Sequence, residues 1–175
     1  NLNFVFWGRI HPVKNIEKSI EFIRTVTENH PNQTSFSIYG TGNSNYLKKL
    51  KEDNRDLVNS GILQFFAPIR HKDIPRFTKR MSFFLSTSNY EGFSMSVLEG
   101  MSLGLIPVIA PVGESKSFCV HAHNSIFLDE FSEYFKSSSI ENLMGLSSEA
   151  ILTSDTYATY PSSLDNALCS IGCLI

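Results

Sequence analysis

Two carboxylates, Glu91 and Glu99, lie eight residues apart in this chain. On one helix they would be separated by about 12 Å, because each helical residue adds about 1.5 Å. That distance is too large for both carboxylates to act on one reacting atom. They could instead bind the two ends of one elongated ligand. The alternative is that Glu91 is a solvated loop acid and that Glu99 lies on an exposed helix face.

The residues between the two acids predict the start of a helix. Ser94 is typical of an N-cap, so Met95 would begin the first helical turn. Phe93 and Leu98 occupy the two positions of a hydrophobic staple. Unpaired N–H groups at such a helix start favour an anion such as a phosphate. Gly104 is expected to end the helix.

Strand and helix patterns alternate along the chain with short connections between them. This alternation predicts an α/β fold in which helices cover both faces of a parallel sheet. From residue 129 onward only short, weak helices are expected. The predicted strands are residues 3–7, 36–39, 62–66, 82–85 and 106–110, and the predicted helices are residues 15–29, 45–58, 73–79 and 95–103.

A glycine-rich or charged cluster follows each predicted strand. In an open α/β sheet, ligands bind outside the carboxyl ends of the strands. We therefore expect these clusters to converge on one site although they are far apart in sequence. The clusters are residues 8–14, 40–42, 67–71, 86–91 and 111–115.

The stretch that contains the two acids resembles a known family motif. It has the form E-G-F-x-x-x-x-x-E, followed by G-x-x-P-V-I-A. This resembles the E-x7-E motif of retaining GT-B glycosyltransferases, most closely glycosyltransferase family 4. The resemblance implies that Glu91 approaches the donor sugar as the catalytic carboxylate and that Glu99 holds the ribose hydroxyls of a nucleotide. This chain departs from the usual motif at Ser94, commonly Gly, and at Gly100, commonly Ala. Gly100 suggests close packing at that point of the helix.

A second stretch, GRIHPVK, resembles the family's G-R-x-x-x-x-K motif after the first strand. The resemblance implies that Gly8, Arg9 and Lys14 meet the donor diphosphate. Asn15 stands where the family often has Gly. Arg9 and Lys14 could also be ordinary solvated loop charges.

The resemblance implies further substrate-binding residues. Two glycines after the second strand would lie near the nucleotide, although a tight turn alone would also explain them. Residues after the third strand would contact the base mainly through backbone groups. The remaining positions belong to the E-x7-E stretch. These implied substrate-binding residues are Gly40, Gly42, Ile69, Gly92, Phe93, Ser94 and Met95.

No Asp-x-Asp, the usual metal-binding pattern of metal-dependent transferases, occurs in the sequence. Two cations and a helix N-terminus could stabilise a leaving diphosphate without a metal. We therefore expect no metal and no cofactor, with a UDP- or GDP-sugar as the donor substrate.

Composition narrows the function classes. Lys and Arg number 15 against 17 acids, for a net charge of −2, which argues against a nucleic-acid partner. No window approaches 18 uninterrupted apolar residues, so no membrane span is expected. The chain opens directly with a strand, so we expect no signal peptide and a cytoplasmic location. Cys119, Cys169 and Cys173 show no C-x-x-C spacing and are expected to be reduced thiols.

The resemblance covers residues 4–128 and implies one Rossmann-like, doubly wound half of a GT-B fold. Residues 1–130 would form the nucleotide-sugar-binding domain, and residues 131–175 a helical extension of it. The missing half would precede Asn1. It would bind a glycan or lipid-linked acceptor and could place the protein at the inner face of the membrane. There are two alternatives. The chain could be half of a sugar-nucleotide epimerase of GT-B layout, or a nucleotide-binding module without turnover.

Overall fold

The computed structural model describes residues 1–157, which contain a six-stranded, all-parallel sheet of order β3-β2-β1-β4-β5-β6. This order is that of the doubly wound dinucleotide-binding fold, with its topological switch point between β1 and β4. The predicted fold class is therefore confirmed. The strands are β1 Leu2–Trp7, β2 Thr34–Tyr39, β3 Leu63–Phe66, β4 Phe83–Ser86, β5 Ile106–Ile109 and β6 Ile126–Phe127.

The register brings the carboxyl ends of the central strands to one edge of the sheet. Trp7, the last residue of β1, pairs with Tyr39, the last residue of β2. Tyr39 in turn pairs with Phe66 at the end of β3. The loops that follow these strands therefore begin side by side, as the clusters in the sequence had indicated.

Helices flank the sheet, and α1 shows why they form where they do. Its apolar residues recur at helical spacing, and the four residues of this stripe, Ile16, Ile20, Ile23 and Val26, are all buried. The helices are α1 Ile16–Asn29, α2 Ser44–Asp53, α3 Arg55–Asn59, α4 Ile74–Phe77, α5 Met95–Ser102, α6 Ser115–Phe118, α7 Phe131–Ser137 and α8 Ile140–Tyr157. Short 3-10 segments cover Pro12–Lys14, His71–Asp73 and Leu128–Glu130.

Two local predictions were wrong in detail. The single helix expected over residues 45–58 is broken at Asn54, whose Nδ2 donates to the Leu50 carbonyl at 2.9 Å and ends α2. The helix expected over residues 73–79 is shortened to Ile74–Phe77, and Asp73, at its N-cap position, makes no capping hydrogen bond with its side chain. Its carboxylate instead accepts from Arg70 Nε at 2.6 Å. In both places a side chain found a competing partner that the periodic pattern does not encode.

The end of α5 follows the sequence prediction closely. Gly104 has φ +76°, and its N–H donates to the Met101 carbonyl at 2.9 Å. Leu105 N–H donates to the Gly100 carbonyl at 3.0 Å, which completes a Schellman motif. Ser94 stands at the N-cap position of α5 as predicted, but its side chain makes no capping hydrogen bond.

The segment after residue 129 is more regular than predicted. The 18-residue helix α8 packs against α5, and Ser147 Oγ donates to the Gly104 carbonyl at 2.7 Å. Leu146, Ala150 and Ser154 are buried there. Because the small or polar residues Ala150 and Ser154 share this buried face with Leu146, α8 lacks the wide apolar stripe that identifies a helix in sequence. The two-residue strand β6 was missed for a similar reason, since it is too short to show a period.

Some predictions fall outside the described residues, among them the thiols of Cys169 and Cys173. Cys119 is buried and free, and burial raises the pKa of its thiol to about 12, so it is the inert thiol expected. The domain division at residue 130 stays a prediction. Within residues 1–157, no helix is both long and apolar enough to cross a membrane.

Candidate functional site

A cleft of about 440 Å³ opens at the carboxyl edge of the sheet. The loops after β1, β2 and β3 form most of it, and α5 closes one side. Five residues predicted for the site, Gly8, Arg9, Gly40, Ile69 and Glu99, are therefore brought together. The full lining is Trp7, Gly8, Arg9, Tyr39, Gly40, Thr41, Pro68, Ile69, His71, Ile74 and Glu99.

Glu99 lies in the second turn of α5, and each of its oxygens has a donor. Trp7 Nε1 donates to Oε2 at 2.8 Å, and His71 Nε2 contacts Oε1 at 3.0 Å. Sequence reasoning missed both donors. Trp7 was treated only as the end of a strand, and His71 shows no ligand spacing. The contacts span 92 and 28 residues, so no local pattern could have indicated them.

Glu91 lies in the loop between β4 and α5, outside the lining of the cleft. Its Oε1 accepts from Lys14 Nζ at 2.6 Å and from Ser88 Oγ at 2.7 Å. The Lys14 and Glu91 side chains are only 19% and 13% exposed, so this ion pair is largely removed from solvent. Lys14 was predicted as a diphosphate ligand, and in this structure it forms an ion pair with Glu91. Its ammonium has three donors and can hold both Glu91 and a phosphate.

Several hydrogen bonds join the loop that carries Lys14 to the loop that carries Glu91. Thr87 Oγ1 donates to the Asn15 carbonyl at 2.7 Å, and Asn89 N–H donates to the Val13 carbonyl at 2.9 Å. Asn15 Nδ2 donates to Asn89 Oδ1 at 3.0 Å. Asn15 has φ +48° and ψ +50°, a left-handed conformation that Gly adopts freely and Asn tolerates. The departure from the family's Gly at this position is thereby explained.

Gly40 and Gly42 are required by contact between two loops. A Cβ on Gly40 would lie 2.0 Å from the Gly8 carbonyl oxygen, and one on Gly42 would lie 1.9 Å from that of Ile10. The backbone of the β1–α1 loop therefore requires glycine at both positions, and the approach of a nucleotide to them stays a prediction. Gly40 also lines the cleft, whereas Gly42 does not.

Two further glycines, Gly113 and Gly100, make close contacts next to the two acids. Gly113 has φ +55°, and a Cβ there would lie 1.9 Å from the Glu91 carbonyl oxygen. A Cβ on Gly100 would lie 3.1 Å from Cβ and Cγ of Phe84, which confirms the close packing expected at this helical glycine. Residues 111–115, the cluster after β5, thus serve as a base for the Glu91 loop.

The remaining predicted residues of the E-x7-E stretch lie in different environments. Gly92 and Met95 are exposed, and Met95 retains 56% of its accessible surface. Ser94 is buried. Phe93 packs against α6, with its ring centroid 5.9 Å from that of Phe118. Gly92 and Met95 are thus the two residues of this group open to a ligand.

The inner wall of the cleft is aromatic and uncharged. Tyr39 stacks on Phe66 with 4.7 Å between ring centroids, and burial raises the pKa of the Tyr39 phenol above its usual value. The phenol therefore stays neutral at physiological pH.

Among residues 1–157, no group of three or more His, Cys, Asp or Glu side chains is arranged to hold a metal ion.

Comparison with solved structures shows the fold that this geometry belongs to. The C-terminal domain of a glycosyl transferase group 1 family protein, LpcC from Francisella tularensis, matches with a TM-score of 0.74 and 16% identity over 89% of this chain and 85% of that domain. Anabaena HepE in complex with UDP-glucose matches with a TM-score of 0.79 and 18% identity over 97% of this chain. Staphylococcus aureus TarM, in a complex that includes UDP, matches with a TM-score of 0.77 and 20% identity over 95% of this chain.

This chain spans 49% of the HepE chain and 34% of the TarM chain, so it corresponds to one part of those proteins. No curated protein sequence matches significantly. The family model for glycosyl transferases group 1 matches residues 2–144, which include the cleft, both acids and the basic residues Arg9 and Lys14. This chain therefore belongs to the glycosyl transferases group 1 family, and its fold is that of the family's C-terminal domain.

Proposed function

We propose that this chain is the donor-binding half of a retaining glycosyltransferase, which moves a sugar from a nucleotide diphosphate sugar to a glycan or lipid-linked acceptor. The observation that carries the proposal is the placement of Glu99 and Arg9 in one cleft at the switch point of the sheet. The Lys14–Glu91 pair lies on the loops that follow β1 and β4. A carboxylate that could bind the ribose and a cation that could bind the diphosphate thus line the same cleft.

The nucleoside would occupy the cleft itself. Tyr39 and Ile69 offer an apolar surface for a base, and the carboxylate of Glu99 can accept hydrogen bonds from a vicinal diol. The segment after β3, which includes Pro68 and Ile69, would also offer backbone groups to the base. This arrangement favours nucleotide binding without specifying the base.

The diphosphate would lie over Arg9 and Lys14. Arg9 is exposed and forms no ion pair with any residue among 1–157, so its guanidinium is available to phosphate oxygens. Lys14 adds a second positive charge, and the N-terminus of the eight-residue helix α5 adds partial positive charge. We expect these groups to stabilise the leaving diphosphate without a metal, so binding should persist in EDTA.

Glu91 would stabilise the reacting sugar rather than form a lasting covalent bond. Lys14 and Ser88 both donate to its Oε1, so Oε2 is the oxygen that remains for the sugar. The two hydrogen bonds would hold the orientation of the Glu91 carboxylate constant while the bond between sugar and diphosphate breaks. Retention of the anomeric configuration, the acceptor class, and a cytoplasmic location near the inner membrane face belong to the same proposal.

The deciding experiment is calorimetry of this chain with UDP-, GDP-, ADP- and CDP-sugars, each with and without EDTA. UDP-sugars are tested first because HepE was crystallised with UDP-glucose. A ligand at 100 times its dissociation constant should also raise the free energy of unfolding by about 2.7 kcal/mol. If no nucleotide sugar binds, the proposal is wrong. If binding requires Mg²⁺ or Mn²⁺, the metal-free part of it is wrong.

Transfer needs a second experiment on the protein that includes the N-terminal half. We expect a glycoside product with the anomeric configuration of the donor. An epimerised nucleotide sugar as the product would instead identify an epimerase. Nucleotide binding without any turnover in the rejoined protein would identify a binding module.

A further inference from the structure

The carboxylate of Glu99 has a buried side and an exposed side. Trp7 donates to Oε2 and is only 6% exposed. His71 contacts Oε1, and its side chain is 81% exposed. A ligand that enters the cleft can therefore exchange with His71 but not with Trp7. The two oxygens of one carboxylate are thus assigned to different partners.

Trp7 is held firmly in place by its neighbours. It is the last residue of β1, where the sheet register aligns it with Tyr39. Its ring meets that of Phe84 edge-on, with 4.5 Å between centroids and 67° between planes. Phe84 is packed so closely against α5 that a Cβ on Gly100 would lie 3.1 Å from it. The indole is therefore fixed relative to both the sheet and the helix that carries Glu99.

A fixed indole N–H suits the task of orienting a carboxylate. It is a donor only, so it cannot compete with the carboxylate for ribose hydroxyls, and it carries no charge that would neutralise Glu99. Without it, the Glu99 side chain would sample several rotamers and lose entropy when a ribose binds. With it, Oε2 is occupied and Oε1 faces the cleft.

We propose that Trp7 is a positioning residue for ribose recognition: its indole N–H holds Oε2 of Glu99, so that Oε1 receives a ribose hydroxyl in place of His71. This inference rests on the proposed nucleotide-binding function. It predicts that loss of the N–H alone weakens the binding of ribonucleotides, and that the loss depends on the ribose hydroxyls of the ligand.

Trp7 is the sole tryptophan of the 175 residues, which makes a sharp test possible. In a tryptophan auxotroph, 3-benzothienylalanine replaces it with a ring of nearly the same shape in which sulfur stands for the N–H. Binding of UDP and of 2′,3′-dideoxy-UDP is then measured by calorimetry, with GDP and 2′,3′-dideoxy-GDP as a second pair. We expect the affinity for the ribonucleotide to fall about three- to tenfold, less than for loss of a hydrogen bond to a charged group, because the indole acts on the ribose only through the orientation of Glu99. The dideoxynucleotide should bind equally to both forms.

Two further arms keep the test decisive. 5-Fluorotryptophan, incorporated in the same way, retains the N–H and should restore ribonucleotide affinity. Trp7→Phe removes the N–H by ordinary mutagenesis and should show the same dependence on the ribose, whatever its effect on the melting temperature.

The outcomes separate the two proposals. If the unmodified chain binds none of UDP, GDP, ADP and CDP or their sugars, both are wrong. If it binds one of them, Glu99→Gln weakens that binding, and the benzothienyl form binds as well as the tryptophan form, only the role of Trp7 is wrong. Equal losses for the ribonucleotide and the dideoxynucleotide would also overturn it, because they would show that Trp7 supports the cleft rather than the ribose contact.

Discussion

The surroundings of Glu91 and Glu99 differ in the kind of donor that each acid meets. Glu91 meets the cation of Lys14 and a serine hydroxyl, both at one oxygen. Glu99 meets an indole N–H at one oxygen and an imidazole at the other. Two carboxylates eight residues apart are thus prepared differently, one with its charge balanced and the other with its charge available to hydroxyl donors.

The two acids also differ in how rigidly the chain behind them is supported. Behind Glu91, the backbone of Gly113 approaches so closely that any Cβ would overlap the Glu91 carbonyl oxygen at 1.9 Å. Behind Glu99, a Cβ on Gly100 would lie 3.1 Å from Cβ and Cγ of Phe84, which is a tight contact rather than an overlap. A substitution of Gly113 should therefore displace the Glu91 loop more than a substitution of Gly100 displaces the helix that carries Glu99.

The largest expected effect concerns transfer through Glu91. Glu91→Gln in the protein that includes the N-terminal half should lower the transfer rate by about 100-fold or more, as for a lost group that stabilises developing charge. Affinity of the chain for the bare nucleotide should change less than about threefold, since Lys14 is retained. Initial rates and calorimetry measure the two quantities. An unchanged rate would remove Glu91 from the chemistry.

Replacement of Glu99 is expected to reduce the affinity for the nucleotide itself. Glu99→Gln should weaken binding of the bare nucleoside diphosphate about tenfold to a hundredfold, because a charged hydrogen-bond acceptor for the ribose is lost. Calorimetry of both Gln variants with the same nucleotide decides the comparison. If Glu91→Gln loses nucleotide affinity and Glu99→Gln does not, the roles of the two acids are reversed.

Replacement of Lys14 should affect the binding of a nucleoside diphosphate but not the binding of a nucleoside. Lys14→Ala should lower the affinity for UDP about tenfold and leave the affinity for uridine nearly unchanged, because uridine has no phosphate. It should also destabilise the chain, since Glu91 loses its balancing charge in a largely buried site. Arg9→Ala is the matched variant, and it should weaken UDP binding without the loss of stability because Arg9 is exposed. Equal losses for UDP and uridine would contradict the diphosphate role.

Gly113→Ala tests how strongly the close contact between Gly113 and the Glu91 carbonyl constrains the Glu91 loop. The positive φ and the overlap with the Glu91 carbonyl should together cost about 2–3 kcal/mol of unfolding free energy. Urea denaturation measures this cost. Gly92→Ala is the control, because a Cβ there meets nothing within 4 Å. Similar stabilities for the two variants would show that the loop yields easily.

The smallest effect is expected behind Glu99. In Gly100→Ala, a gain of about 1 kcal/mol in helix propensity opposes the tight contact with Phe84, so the net change should stay within about 1 kcal/mol. The same denaturation experiment measures it. A loss larger than that at Gly113→Ala would reverse the order of rigidity inferred for the two acids.

Much of the fold could be predicted from local patterns. The stripe of α1, the glycine that ends α5 and the strand–helix alternation each reflect a period or a cap that neighbouring residues encode by themselves. The helix α8 and the strand β6 could not be predicted, because Ala150 and Ser154 pack through small size and β6 has only two residues. The break at Asn54 was missed because its side chain competes with the helix for a backbone carbonyl.

The sequence by itself determined which residues reach the carboxyl edge of the sheet, since Arg9, Lys14, Glu91 and Glu99 follow directly from strand positions and motif spacing. It did not determine which of them would touch. Lys14 meets Glu91 across 77 residues and Trp7 meets Glu99 across 92, because β1 and β4 are neighbours in the sheet. Strand order is settled by the packing of the whole core rather than by any local segment. Only the tertiary structure could therefore decide that one acid is balanced by a cation and the other is held by an indole.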